Sequence, residues 1–187
     1  MKKYLIILVL LFISFISPAQ DASVERSVFN IQTGFLGVWI NNDAKLSPSI
    51  ALRSEIGFDA AIFGGFFYPE TGFLLAPVLT LEPRLYYNLE NRKSKSKNIK
   101  NNSGNFMCIK ASFNPDWFTI SNYDNIAIIN QLSVIPKWGI RRSLGDHFNF
   151  EAGFGIGYRY YFAKKAGYDR NASEVTADLH LRIGFNF

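Results

Sequence analysis

A histidine flanked by charged residues lies near the end of the chain and could take part in acid–base chemistry. Asp178, His180 and Arg182 occupy alternate positions, so an extended strand would place them on one face, with Glu151 on a neighbouring strand. A histidine beside a carboxylate is typical of general acid–base and hydrolase sites. The sequence has no matched serine motif, and His180 lies only seven residues before Phe187. We therefore expect no catalysis and interpret His180 as one member of a polar network.

A turn histidine and three glycines are weak candidates for metal or cofactor binding. His147 lies in the turn SLGDH without a second histidine nearby, which gives little support for a metal ion. Gly153, Gly155 and Gly157 lack the spacing of a dinucleotide loop, and no helix is predicted after them. Glycines that relieve crowding in a bent strand explain the pattern. We predict no metal site and no cofactor.

The positive charge of the chain is concentrated in one segment. The formal net charge is +5, and residues 90–102 hold five basic side chains and one acid: Arg92, Lys93, Lys95, Lys97 and Lys100. Because the rest of the chain is nearly neutral, a nucleic-acid-binding face is not expected. The interleaved serine and asparagine residues favour a solvated loop, with contact to an anionic group as the alternative.

Alternation of apolar and polar residues predicts the elements that position these side chains. Period two over long segments is a strand signal, and no long helix or second domain is evident. Seven strands are recognised, and the alternation in the first is blurred. An eighth strand lies either in an extension of residues 20–27 or in two strands merged between residues 28 and 71, where Gly64 and Gly65 mark a possible turn. The predicted strands are residues 28–40, 49–60, 75–88, 107–117, 131–141, 148–162 and 175–187.

The first residues predict export from the cytoplasm. Lys2 and Lys3 precede an apolar run, and Ser17, Pro18 and Ala19 follow it, which is the layout of a secretory signal peptide over residues 1–19. Residues 20–187 then form one domain. A single cysteine excludes an intramolecular disulfide.

Strand length and volume indicate which face of each strand points inward. The predicted strands exceed the usual 5 or 6 residues of globular strands and suit tilted strands that cross a bilayer. A closed ring of about eight strands cannot hold the aromatic side chains of every strand, so we expect these to face lipid. The opposite face carries seven cations, six anions and one histidine, and such near balance favours a plugged, charge-paired lumen. These residues are Arg53, Glu55, Asp59, Glu82, Arg84, Lys110, Asp116, Lys137, Arg141, Glu151, Arg159, Asp178, His180 and Arg182.

The chain resembles the small outer-membrane β-barrel proteins of the OmpA, OmpX and OmpW kind. The resemblance lies in the signal peptide, the long alternating strands, the aromatic borders and the final strand LHLRIGFNF ending at Phe187. It implies an all-β, single antiparallel transmembrane barrel in the outer membrane of a Gram-negative bacterium, where outer-membrane lipids surround it. A terminal aromatic residue is the signal read by the barrel-assembly machinery in that group. Such barrels have an even strand number, so eight strands are expected where seven are recognised.

The expected function is a structural or interaction role with a plugged lumen and no enzymatic activity. The alternative is a narrow channel or binding barrel for a small solute, for which Ile135 on the polar face is the only indication. A lipid-modifying enzyme centred on His180 is the third hypothesis. Counting strands from the two ends places the basic segment on opposite sides of the membrane, and on the outer side it would meet the phosphates of an anionic glycolipid. Trp39, Trp117 and Trp138 are interpreted as interfacial anchors.

Overall fold

A computed structural model describes residues 22–65, 70–124 and 126–187. The predicted signal peptide, residues 1–19, lies outside these described residues. The described part of the chain is almost entirely β-structure, with one six-residue helix, α1 (Leu89–Ser94), and two short 3-10 turns. The strands are β1 (Ser27–Gly34), β2 (Gly37–Lys45), β3 (Ile50–Phe63), β4 (Gly72–Tyr86), β5 (Asn105–Asn114), β6 (Ile120–Ser121), β7 (Gln131–Leu144), β8 (Phe148–Tyr161) and β9 (Ala172–Asn186).

Eight of these strands close into an antiparallel barrel. Each strand pairs with the next along the chain, β5 pairs directly with β7, and β9 returns to β1 through the register Asn30 to Asn186. The two-residue β6 lies outside the ring and pairs with Leu74 and Leu75 of β4. The predicted all-β barrel with eight strands is therefore confirmed.

Only seven strands were recognised from the sequence because the first predicted strand contains a hairpin. β1 and β2 are joined by only two residues, Phe35 and Leu36, and Gly34 pairs with Gly37. Paired residues share one face of a sheet, so inward positions are even-numbered in β1 and odd-numbered in β2. This change of parity blurs the alternation across residues 28–40. The segment 41–45, expected to be a loop, continues β2, while Gly64 and Gly65 lie in the β3–β4 connection.

Apolar and polar side chains occupy opposite surfaces of the barrel. Phe154 and Leu181 are 54% and 53% exposed on the outside, whereas Arg53 and Arg141 are fully buried inside. The aromatic residues at the even-numbered positions of the stretch 148–162 thus point outward, and Gly153, Gly155 and Gly157 approach the backbone of the neighbouring strand β7. The exposed apolar surface is continuous around several strands, which is unusual for a protein surrounded by water.

The two ends of the barrel differ in the length and content of their connections. The first and last strands start and finish at one end, which we call the terminal end. It also carries the β2–β3 and β7–β8 turns and the long β4–β5 connection with α1. There Leu89 of α1 packs with Val24, Tyr86 and Phe106 into a small apolar plug. The basic segment therefore lies at the terminal end. Because the ring has an even number of strands, counting strands from either end of the chain now places this segment on the same side of the barrel.

The opposite end, which we call the loop end, carries the β1–β2 hairpin and the β3–β4, β5–β7 and β8–β9 connections. Within the described residues, no helix is both long and apolar enough to cross a membrane.

Candidate functional site

The centre of the barrel contains three arginines arranged around two acidic residues. Arg53 donates to Asp43 from Nε at 2.7 Å and to Glu151 from Nη2 at 2.7 Å. Arg141 Nη1 contacts both acids, at 3.0 Å and 2.8 Å, and Arg84 Nη1 lies 3.0 Å from Glu151 Oε2. These five side chains are all buried, and they come from five different strands. We call them the arginine cluster.

A second group of charged residues continues from the arginine cluster towards the loop end. Glu82 accepts from Arg84 at 2.6 Å and from Lys137 at 3.0 Å. His180 links the two groups, since its Nε2 lies 2.8 Å from Glu151 and its Nδ1 lies 3.3 Å from Lys137 Nζ. Further towards the loop end, Lys110 donates to Asp178 at 2.9 Å. The lumen is thus crossed by a continuous set of ion pairs.

Amide side chains extend the hydrogen bonding on the terminal side of the arginine cluster. Arg141 Nη2 donates to the side-chain oxygens of Asn30 and Asn186, at 2.7 Å and 2.8 Å. Gln32 donates to Asn149 at 3.1 Å. These contacts join β7 to β1 and β9, and β1 to β8, so they span the seam where the ring closes. They also supply additional partners for buried charges. Asn149 and Asn186 fall on the predicted inward face of the last two strands, whereas Asn30, Gln32 and Asp43 were not predicted as lumen residues, although alternation within each strand of the hairpin places them inside.

Thirteen of the fourteen predicted lumen residues lie inside the barrel, and one does not. Asp116 is wrong as a lumen residue, because β5 ends at Asn114 and Asp116 lies exposed in the following connection. Arg159 is inside but half-buried at the loop end, where its side chain is 31% exposed. The remaining twelve comprise ten buried residues and the half-buried Asp59 and Asp178: Arg53, Glu55, Asp59, Glu82, Arg84, Lys110, Lys137, Arg141, Glu151, Asp178, His180 and Arg182.

The three tryptophans do not share one environment. Trp39 was wrongly interpreted as an interfacial anchor, because it lies inside the barrel at 4% exposure, with its ring 3.6 Å from the Arg182 guanidinium carbon. Its Nε1 donates to Asp59 at 3.0 Å. Trp117 and Trp138 are exposed at 65% and 46%, and Trp138 donates to the Tyr87 hydroxyl.

A cavity of about 360 Å³ opens above the ion pairs at the loop end. Its apolar lining includes Trp39 and Ile135, and its polar lining includes Lys110, Asp178 and Arg159. The volume lies within the usual range of small-molecule sites, roughly 300–1,000 Å³. Ile135, the one apolar residue noted on the polar face, is 4% exposed and forms part of this wall.

The surroundings of His180 indicate a structural role for its ring. Both ring nitrogens are occupied by charged partners, Glu151 and Lys137, and its side chain is almost fully buried. The hydrogen bonds of His180 in the described part of the chain include none to a serine, threonine or cysteine that could act as nucleophile. Within the same residues, no group of three or more histidine, cysteine or acidic side chains could hold a metal ion.

The basic segment is folded back on the terminal end. Arg92 donates from Nε and Nη2 to the Asn98 carbonyl, and Lys100 Nζ lies 2.7 Å from Asp146 in the β7–β8 turn. The hydrogen bond between Lys100 and Asp146 raises the pKa of the lysine and lowers the pKa of the aspartate. Both groups are exposed, so this pair fixes loop position and adds little stability.

Comparisons with family models, curated proteins and solved structures give no significant match, so only the chain's own residues bear on its function.

Proposed function

We propose that this chain is an integral β-barrel protein of the outer membrane of a Gram-negative bacterium. In this proposal, residues 1–19 direct export, the barrel-assembly machinery inserts the chain, and outer-membrane lipids surround it. The observation that carries the proposal is the distribution of side chains. Residues such as Phe154 and Leu181 are exposed on the outside while charged residues are buried inside, which is favourable only where the outer surface meets hydrocarbon.

Membrane fractionation of a Gram-negative host tests this location. The expected result is recovery in the outer-membrane fraction after a urea wash, with faster migration on gels before heating than after heating. Removal of Phe187 is the matched variant, because the terminal aromatic residue is expected to control assembly, and it should lower recovery in the outer-membrane fraction. Recovery of the intact chain as a soluble periplasmic protein would contradict the proposal.

The role that the interior supports best is structural or interactive, with a lumen closed to ions. The arginine cluster fills the centre, and Leu89, Tyr86 and Phe106 close the terminal end. Recordings from purified protein in planar bilayers test this closure, and the expected result is no stable conductance. A steady open conductance would contradict it. Because neither ring nitrogen of His180 faces a nucleophile, we propose no lipid-modifying activity.

The cavity favours a second candidate function, a binding barrel for a small solute. Trp39 and Ile135 give it an apolar wall, while Lys110 and Asp178 give it a polar floor. Binding is expected without transport, since the ion pairs beneath the cavity block the lumen.

We propose that the terminal end, with both ends of the barrel domain, faces the periplasm. The basic segment would then meet phosphates of the inner leaflet, and it would not reach an anionic glycolipid of the outer leaflet. Protease digestion of intact cells tests this orientation, and cleavage within residues 92–100 on intact cells would contradict it.

A further inference from the structure

The wall of the barrel is incomplete at the loop end. β1 and β2 are the shortest strands of the ring, and their pairings stop at Gly34 with Arg182 and at Gly37 with Asp59. On one side of this hairpin β3 continues to Phe63, and on the other side β9 extends back to Ala172. Among the described residues, no strand pairs with residues 172–181 of β9 on the side away from β8. A notch two strands wide therefore lies between β9 and β3, above the hairpin.

The residues of the notch indicate that it lies at the level of the lipid. The hairpin tip is Phe35 and Leu36, in place of the glycine and asparagine that two-residue turns favour in water, and Phe35 is 78% exposed. Strands of 8 and 9 residues barely span the hydrocarbon, which needs roughly 9–11 tilted residues. The tip thus ends within or just at the border of the apolar layer.

The cavity opens into this notch. Its lining includes both rims, with the hairpin tip and Ala60 on one side and Ala177 on the other. Unpaired strand edges are tolerated at membrane depth only where they line a cavity that holds polar partners or water. The notch and the cavity are therefore parts of one opening, which runs from the lipid-facing surface to the ion pairs of the lumen.

The charged groups around the cavity determine which head group it can accept. Lys110 is paired with Asp178, Arg182 with Glu55, and Asp59 accepts from Trp39 and Asn114. Arg159 differs from these, because its guanidinium has no buried acidic partner among the described residues: it contacts Ser133 Oγ at 3.2 Å, the half-exposed Glu174 at 3.7 Å and the hydroxyl of Tyr161.

The guanidinium of Arg159 therefore keeps donors available for an anion. We propose that the opening binds a single-chain anionic amphiphile from the bilayer, with its chain in the notch against Trp39 and Ile135 and its anionic head at Arg159. This proposal rests on the proposed membrane location and adds a ligand class and an entry route to it. A fatty acid and an anionic lysophospholipid share the required chemistry.

Quenching of Trp39 fluorescence in lipid nanodiscs tests the proposal. The background variant Trp117→Phe/Trp138→Phe leaves Trp39 as the reporter inside the barrel. A fatty acid brominated along its chain should quench Trp39 saturably, and its methyl ester should need about a tenfold higher concentration because it lacks the charge that Arg159 binds. A brominated lysophosphatidylglycerol identifies the source of the ligand, and stronger saturable quenching by it than by the fatty acid would assign the site to a phosphate head.

Two substitutions of outward-facing alanines test the entry route. Ala177→Phe adds a ring at the notch, whereas Ala44→Phe adds the same ring on the outer face of β2, away from the cavity. The expected result is a rate of quenching reduced about tenfold or more in the first variant and unchanged in the second. Arg159→Gln should weaken the fatty acid about tenfold and leave the methyl ester unchanged.

Folding of every variant is checked by its heat-dependent gel migration, and the ester comparison needs no variant at Arg159. Absence of saturable quenching in a folded barrel, or equal quenching by acid and ester, would overturn the amphiphile site while leaving the membrane location intact. Equal rates for Ala177→Phe and Ala44→Phe would overturn lateral entry. A dimer joined through β9 would place a second copy in the notch and would also overturn the proposal.

Discussion

Replacement of Glu151 by glutamine should destabilise the barrel strongly without changing its shape. The carboxylate lies within 2.7–3.0 Å of Arg53, Arg84 and Arg141, and His180 Nε2 is 2.8 Å away. Glutamine keeps the volume and one acceptor oxygen, so the change is mainly the loss of one buried negative charge. The three arginines would then share fewer acids in a site that excludes water.

The expected loss of stability in Glu151→Gln is large because every charged partner of Glu151 is buried. Removal of one member of a buried ion pair costs about 3–5 kcal/mol, because the remaining charge stays desolvated and uncompensated. Glu174→Gln is the matched control, since Glu174 is 51% exposed and lies 3.7 Å from Arg159. An exposed pair at this distance should contribute at most about 1 kcal/mol.

Urea unfolding in lipid vesicles, followed by tryptophan fluorescence, measures both free energies of unfolding. We expect the Glu151→Gln variant to unfold at a much lower urea concentration than Glu174→Gln, with a similar dependence on urea. Addition of Arg84→Met should give a double variant less destabilised than the sum of the single changes, by about 0.5–3 kcal/mol. Equal effects of Glu151→Gln and Glu174→Gln would refute the view that the arginine cluster depends on charge compensation.

Three further predictions concern the hairpin, a close strand contact and the terminal end. Phe35→Asp should reduce insertion into vesicles, by about 2 kcal/mol or less because a charge near the interface costs less than one at the midplane, and unchanged insertion would place the tip in water. Gly157→Ala should lower the free energy of unfolding by about 1–3 kcal/mol, because the added Cβ would meet the Val134 carbonyl. An unchanged urea midpoint would contradict this prediction and would show that β7 and β8 move apart at this point without cost. The ion pair between Lys100 and Asp146 should form at pH values between the lowered pKa of Asp146 and the raised pKa of Lys100. Protease cleavage of the basic segment should therefore increase when the pH falls through the pKa of Asp146 or rises through the pKa of Lys100. Cleavage that does not depend on pH would contradict this prediction.

The sequence was most informative where the strands are long and the alternation has one phase. β7, β8 and β9 were recognised with small errors at their ends, and their inward charges were identified together with their facing direction. The charge balance also indicated a filled interior, since seven cations and six anions on one face would be costly without partners. Placement of these side chains followed directly from the period of two.

The errors arose where a local feature interrupted that period. Phe35 and Leu36 are apolar turn residues, and only the flanking Gly34 and Gly37 marked the hairpin and the change of parity after it. Trp39 then fell on the wrong face, and Asp43 was assigned to a loop. Asp116 was misplaced because Pro115 ends the pairing of β5, although the alternation of residue types continues past it. The notch depends on unequal strand lengths around the ring, which residue patterns do not encode.

The arginine cluster also bears on how the chain reaches its final state. Arg53 and Glu151 are 98 residues apart, and Asn30 and Arg141 are 111 residues apart. Arg53 meets Asp43 and Arg141 meets Glu151 already within single hairpins, but the contacts that join these hairpins across the lumen need the closed ring. A barrel whose β1–β9 seam is open would lack these contacts across the lumen, so closure of the ring and completion of the buried network should stabilise each other.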